Sequence, residues 1–164
     1  MNVALILSGG NGSRIGGDIP KQYLTVENIP IISYSLKTLM NHPMIDAIQI
    51  VAHKEYRELI EEEIGKLSTE YNKGIFKGFS VPGENRQMSI LNGLRDIRKY
   101  ASDADTVLIH DAANQELLPD KILNVHGSTE PAILYGMDIV MIPGDENNFK
   151  ITTIQDLEKF RRTV

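Results

Sequence analysis

The stretch that most constrains this chain is residues 5–24, LILSGGNGSRIGGDIPKQYL, where an apolar run feeds straight into a turn that few backbones can make. Met1–Leu7 is a short apolar segment of the kind that forms a buried strand. Ser8, Gly9, Gly10, Asn11, Gly12 and Ser13 follow at once. Glycine has no Cβ, so the backbone there can take left-handed dihedrals and a ligand can approach it closely. Successive N–H groups in such a turn can converge on an anion. Arg14 and Lys21 add two positive charges, and Pro20 stiffens the chain just before Lys21. A strand, an amide-lined loop and two cations together point to a nucleoside triphosphate site. Two familiar phosphate loops are excluded by spacing. No Lys-Ser or Lys-Thr follows the glycines, as a P-loop requires, and Ile15 stands where a dinucleotide fingerprint needs its third glycine.

Composition narrows the class. With 164 residues, 41% of them hydrophobic, the chain can bury a core of its own as a single domain spanning 1–164. A net charge of −5 argues against a nucleic-acid partner, which requires a basic face. The absence of cysteine excludes disulfides, thiolate metal sites and a cysteine nucleophile. No apolar run is long enough to span a bilayer, so no membrane partner is expected, and no charged leader precedes the first strand, so the expected location is cytoplasmic.

Strand-like and helix-like segments alternate along the chain. Pro30 opens a helix whose apolar stripe is Ile32, Leu36, Leu39 and Met40, stopping near His42-Pro43. Ile45–Ala52 reads as a strand and Tyr56–Leu67 as an amphipathic helix, with Glu61-Glu62-Glu63 on a solvated face. Ile75–Val81 reads as a third strand near an edge, Gln87–Tyr100 as a helix and Thr106–His110 as a fourth strand. Beyond it come a loop or short helix over Leu117–Leu123, a helix over Ser128–Gly136, a strand over Asp138–Ile142 and a loop to Lys150. Thr153-Ile154-Gln155-Asp156 opens the last helix with a capping-box pattern. This alternation indicates βαβ units: an α/β fold of three α/β/α layers on a mostly parallel twisted sheet. In such sheets ligands bind beyond the carboxyl ends of the strands. Ser8–Arg14, Gly83–Arg86 and Asp111 all fall there.

The order L-S-G-G-x-G-x-R-x-G…P-K-Q-Y-L, G-E-N-R-x-x-S, H-D-A-A and N-F-K-I-T-T-x-x-D-L resembles the 2-C-methyl-D-erythritol 4-phosphate cytidylyltransferase family, related to cytidylyltransferases acting on ribitol 5-phosphate. The resemblance implies a Rossmann-like nucleotidyltransferase fold and transfer of CMP from CTP to a polyol phosphate, with Mg²⁺ and release of pyrophosphate. It assigns catalytic roles to Arg14, Lys21 and Lys150, which would hold the phosphates. It assigns nucleotide binding to Ser8, Gly9, Gly10, Asn11, Gly12, Ser13 and Ala112, and a cytosine-reading patch to Gly83, Glu84, Arg86 and Ser89. Asp111 would hold Mg²⁺; Asn147 stands where some members carry a second acidic metal contact. None of His42, His53, His110 and His126 shows metal-ligand spacing, and none is assigned to catalysis; His110 is expected to support the site or the core. Such chemistry requires charge neutralisation and alignment rather than a covalent nucleophile, since an acceptor phosphate is already ionised near neutral pH.

The resemblance also implies what the chain lacks. After Ala113 the family continues through an arm used for dimerisation and further acceptor contacts, so a seam is expected near Ala113–Asn114, with a homodimer as the full-length form. An acceptor such as ribitol 5-phosphate, in cell-surface polymer synthesis, and an inactive nucleotide-binding module are the alternatives left open.

Overall fold

A computed structural model describes residues 1–10, 19–68, 72, 74–102, 105–113 and 149–163. The elements expected over Leu117–Leu123, Ser128–Gly136 and Asp138–Ile142, and the far side of the seam at Asn114, lie outside the described residues.

Among the described residues four strands form a parallel sheet: β1 (Asn2–Leu7), β4 (Ala47–Val51), β5 (Phe76–Ser80) and β6 (Thr106–Asp111), in the spatial order β5-β4-β1-β6. The chain steps outward from β1 to β4 through α1 (Ile31–Met40), and from β4 to β5 through α2 (Arg57–Leu67). It then returns through α3 (Arg86–Ile97) to lay β6 on the opposite side of β1. The direction of winding therefore reverses between β1 and β6, the place where open α/β sheets bind ligands. The central strand β1 is apolar from Val3 to Leu7 because both of its faces are covered. Ala4 and Ile6 pack with Ile32, Leu36, Leu39 and Ile60 of α1 and α2, whereas Val3 and Leu5 pack with Ile90 and Ile97 of α3. Those are the three expected layers.

Local signals account for most boundaries. Pro30, at ψ 140°, stands one position before the first helical residue of α1 and serves as its N-cap. Asn85 caps α3, its side chain accepting from Met88 N at 2.9 Å. The expected capping box is present at α4 (Ile154–Arg161), where Thr153 and Asp156 satisfy each other's backbone amides. Among the described strands β5 lies at one edge, as its sequence suggests. One expectation fails: Glu63 is not solvated but 8% exposed, accepting from Ser33 Oγ at 2.8 Å and pairing with Lys66 at 2.5 Å. The run of three acids hid a face that turns inward against α1.

A small hairpin went unforeseen because its strands, β2 (Thr25–Val26) and β3 (Ile29–Pro30), are two residues each. Glu27 and Asn28 both have positive φ, 53° and 62°, the geometry of a tight two-residue hairpin turn. The hairpin delivers Val26 to a third apolar cluster with Ile31, Ala113, Ile151, Leu157 and Phe160. There Ile151 N donates to Ala113 O at 3.0 Å, so the chain on either side of residues 114–148 meets at one point.

Close approach of α3 to β1 depends on Gly93, where an added Cβ would stand 2.4 Å from Leu5 Cδ1. Leu5 is fully buried and has nowhere to retreat. Gly93→Ala should therefore lower stability in urea by about 1–3 kcal/mol despite alanine's better helix propensity. Leu5→Ala should relieve the overlap, so the double variant loses less than the sum of the two single losses. Simple additivity would contradict this packing.

Candidate active site

The carboxyl ends of β1, β5 and β6 enclose a cavity of about 500 Å³. The loop after β1 contributes Gly9 and Gly10; the loop after β5 contributes Gly83 and Glu84, followed by Asn85, Arg86 and Ser89 of the α3 start. From β6 come Asp111, Ala112 and Ala113, and from the other sides Lys21, Gln22, His53, Lys150 and Thr152. Two of these loops touch. Added Cβ atoms would stand 2.7 Å from Pro82 Cβ at Gly9, and 2.6 Å from the Met88 carbonyl carbon at Gly83. The walls are as close as the absence of side chains permits.

Lys150 and Thr152 face the cavity because Ile151, between them, does not. Extended backbone alternates its side chains, and Ile151 is wholly buried in the third cluster. The Lys21 ammonium donates to the Ile151 carbonyl, tying the P-K-Q-Y-L turn to this segment. Asp156 at the start of α4 accepts from Thr152 N at 2.9 Å and holds it from behind. Hydrogen bonds from the Thr152 and Thr153 amides keep the Asp156 carboxyl below its usual pKa.

Asp111 is the electrostatic centre. Its Oδ2 accepts from Lys150 Nζ, and its Oδ1 lies 3.4 Å from Arg86 Nε. Burial pushes this carboxyl up, but the Lys150 hydrogen bond and the charges of Lys150, Arg86 and His110 outweigh it and leave the pKa below the ordinary carboxylate value. The group is an anion at neutral pH, already flanked by two cations. Among the described lining residues, three cations (Lys21, Arg86, Lys150) face two acids (Glu84, Asp111), a balance that suits a polyanionic ligand.

Of the residues expected at the site, Lys21, Lys150, Gly9, Gly10, Gly83, Glu84, Arg86, Ser89, Asp111 and Ala112 are brought to one cavity. Asn11, Gly12, Ser13, Arg14 and Asn147 lie outside the described residues. Ser8 is placed differently from expectation. It is 1% exposed, its hydroxyl lies 2.8 Å from Tyr23 Oη, and it is not among the lining residues. Sequence reasoning passed over Gln22, His53 and Thr152. Gln22 and Thr152 stood inside quoted motifs; His53 carried the weak signal of an imidazole directly after a strand.

A single ionised carboxylate at a strand end, facing a cavity, is a hard oxygen donor of the kind Mg²⁺ uses together with phosphate oxygens and water. Among the described residues no cluster of three metal-ligating side chains occurs. Among the described residues no helix is long and apolar enough to cross a membrane.

Comparison with known proteins gives the family and the fold. Residues 2–133 match the family model described as IspD: 2-C-methyl-D-erythritol 4-phosphate cytidylyltransferase. A chloroplastic protein of that name from Oryza sativa subsp. japonica is 30% identical over 157 residues, covering 92% of this chain and 49% of its own length. A Clostridium botulinum protein of the same name (strain 657 / Type Ba4) is 34% identical over 158 residues, covering 93% of this chain and 65% of its own. The chain thus spans about half to two thirds of the length of these relatives. In fold it is similar to the crystal structure of 4-diphosphocytidyl-2C-methyl-D-erythritol synthase from Anaerococcus prevotii DSM 20548. The TM-score is 0.71 at 16% identity, covering 99% of this chain and 95% of that one.

His110, one residue before Asp111, is 5% exposed, and neither ring nitrogen has a hydrogen-bond partner among the described residues. Burial is the larger influence and drives its pKa down to about 4, against a smaller upward pull from Asp111. The folded protein therefore keeps this imidazole neutral to about pH 4, whereas the unfolded chain protonates near 6.5. The unfolded state binds the extra proton in that window, so stability falls as pH drops through it, by about 3 kcal/mol in total. Urea midpoints measured from pH 7 to pH 4 should show this slope, and His110→Leu should flatten it. An NMR titration of His110 near pH 6.5 in the folded protein would contradict the assignment.

Proposed function

The chain belongs to the 2-C-methyl-D-erythritol 4-phosphate cytidylyltransferase family, and on that premise we propose that its cavity binds CTP and transfers CMP to 2-C-methyl-D-erythritol 4-phosphate, releasing pyrophosphate. The observation that carries this reading is the convergence of Lys21, Lys150 and Arg86 on the cavity that also holds Asp111 and the glycine loop. One phosphate oxygen of the acceptor attacks the α-phosphorus of CTP; a P–O bond forms to the acceptor, the α–β bridging P–O bond breaks, and its electron pair leaves with pyrophosphate. One anion must approach another, so the protein's contribution is charge neutralisation and in-line alignment. Lys21 and Lys150, and Arg14 as expected from the family, stabilise the charge that develops on the phosphates, each worth several kcal/mol in a water-poor site on the scale of roughly 3 kcal/mol per donor. Lys150 and Arg86 are held on Asp111 in the free protein, poised to exchange the carboxylate for phosphate oxygens.

Asp111 is the residue that would hold Mg²⁺, which would supply further neutralisation of the triphosphate. Gly83, Glu84 and Ser89 line the wall assigned to the cytosine ring. Ala112, whose amide donates to Leu7 O at 3.1 Å, lines the same cavity and belongs to the residues assigned to nucleotide binding. The homodimer and the cytoplasmic setting expected from the sequence belong to this same reading.

Purified protein supplied with CTP, Mg²⁺ and 2-C-methyl-D-erythritol 4-phosphate should release pyrophosphate, and ribitol 5-phosphate should be a poorer acceptor. Lys150→Ala and Lys21→Ala should each lower kcat/KM by about a hundredfold or more, as removal of one charge-stabilising donor does. Turnover with ribitol 5-phosphate alone would move the assignment to that acceptor. CTP binding without turnover on either would make the chain an inactive nucleotide-binding module.

A further inference from the structure

We propose that Gln22 and His53 are positioning residues that act through the glycine loop, turning its carbonyl oxygens away and thereby aiming its amides for the nucleotide; this rests on the reading above. Glycine restricts its own dihedrals very little, so a loop such as Ser8–Gly10 is ordered only by what holds it from outside. In this chain every carbonyl of those three residues is held. Gln22 Nε2 donates to Ser8 O at 2.8 Å and to Gly10 O at 2.9 Å, dividing the two protons of one amide between two acceptors. His53 Nε2 lies 3.0 Å from Gly9 O. A carbonyl only accepts, so the proton of this imidazole is on Nε2 whatever its charge. Tyr23 adds a third donor, its Oη reaching Ser8 O at 3.0 Å. The single phenolic proton is then used, and the 2.8 Å contact with Ser8 Oγ is made by the serine's proton.

A trans peptide makes these bonds consequential. The C=O of one residue and the N–H of the next lie in one plane and point opposite ways. Fixing Ser8 O therefore fixes the Gly9 N–H, and fixing Gly9 O fixes the Gly10 N–H. Ser8 N is spent on Val51 O at 2.8 Å, whereas the Gly9 and Gly10 amides donate to no described residue. Both glycines line the cavity. A loop with the opposite peptide orientation would present oxygen dipoles to a polyanion. The clamp is itself anchored: Gln22 is 4% exposed within the helical turn Lys21–Tyr23, and His53 is separated from β4 by Ala52 alone, whose N donates to Ser80 O at 3.1 Å.

The test combines a resonance of the free protein with an affinity. A glutamine amide reaches the place of Nε2, whereas an asparagine amide reaches only that of Nδ1. In the protein without nucleotide, His53→Ala should shift the Gly9 carbonyl ¹³C resonance, His53→Gln should restore it and His53→Asn should not. In calorimetric titration with CTP, His53→Ala and His53→Asn should bind about tenfold more weakly, the loss of one aligned hydrogen bond, with His53→Gln within about twofold of the parent and melting temperatures unchanged. Gln22→Glu, which sets a carboxylate against two carbonyls, should weaken CTP by at least about tenfold. The proposal is overturned by a Gly9 carbonyl unmoved in His53→Ala, by CTP affinities equal to the parent in all variants, or by equal losses in the three His53 variants. Failure of the parent protein to bind CTP would overturn the functional reading instead, while the carbonyl resonances would still decide the clamp.

Discussion

Parallel pairing of β1 with β6 is the constraint from which the site follows. The register runs from Asn2 opposite Thr106 to Leu7 opposite Asp111, so the glycine loop and the site's carboxylate leave adjacent strands at the same height. A slip of one residue would turn Asp111 to the other face of the sheet and bring His110 toward the cavity. The apolar faces prevent that slip. Both sides of β1 are committed, Ala4 and Ile6 to one layer and Val3 and Leu5 to the other. Stability of the core and placement of the anionic centre are therefore one property of the same strand pair.

On the proposed function, the charges around Asp111 serve exchange rather than stability. Lys150 remains half-exposed, and Arg86 is 31% exposed, so their bonds to Asp111 are worth little to folding. They keep the carboxylate ionised and hold two cations at the cavity rim, available to an incoming polyanion. Rigidity comes instead from backbone contacts behind the rim: the buried Ile151, the amide of Thr152 held on Asp156, and the glycine-loop carbonyls held by Gln22, Tyr23 and His53. In the proposed reaction the chemistry falls to partly exposed side chains carried by main chain held from behind, a division that suits charge neutralisation at a phosphate.

Much of this was legible in the residues. Continuous apolar runs flanked by helical periods gave β1, β4 and α1–α3 to within a few residues, and Thr153-x-x-Asp156 marked the start of α4. The cavity's position followed from strand ends alone. What escaped was what depends on long-range packing. Glu63 looked solvated because charge describes a residue and not the face it lands on. The hairpin escaped because two-residue strands carry no period. Ser8 looked like a ligand contact, yet its hydroxyl is spent on Tyr23, a partner visible only once the Lys21–Tyr23 turn has folded back over the loop. His53 was passed over for the same reason, since nothing in the order of residues says that the end of β4 lies beside Gly9.

On the proposed function, one cavity, closed by β1, β5 and β6, takes the nucleotide with its phosphates among Lys21, Lys150 and the glycine-loop amides. A crystal structure of the protein with bound CTP tests it most directly. The triphosphate should contact the Lys21 and Lys150 ammonium groups and the amides of Gly9 and Gly10, with the base against Gly83 and Ser89. A nucleotide bound elsewhere, or one in this cavity with its phosphates turned away from both lysines, would contradict it.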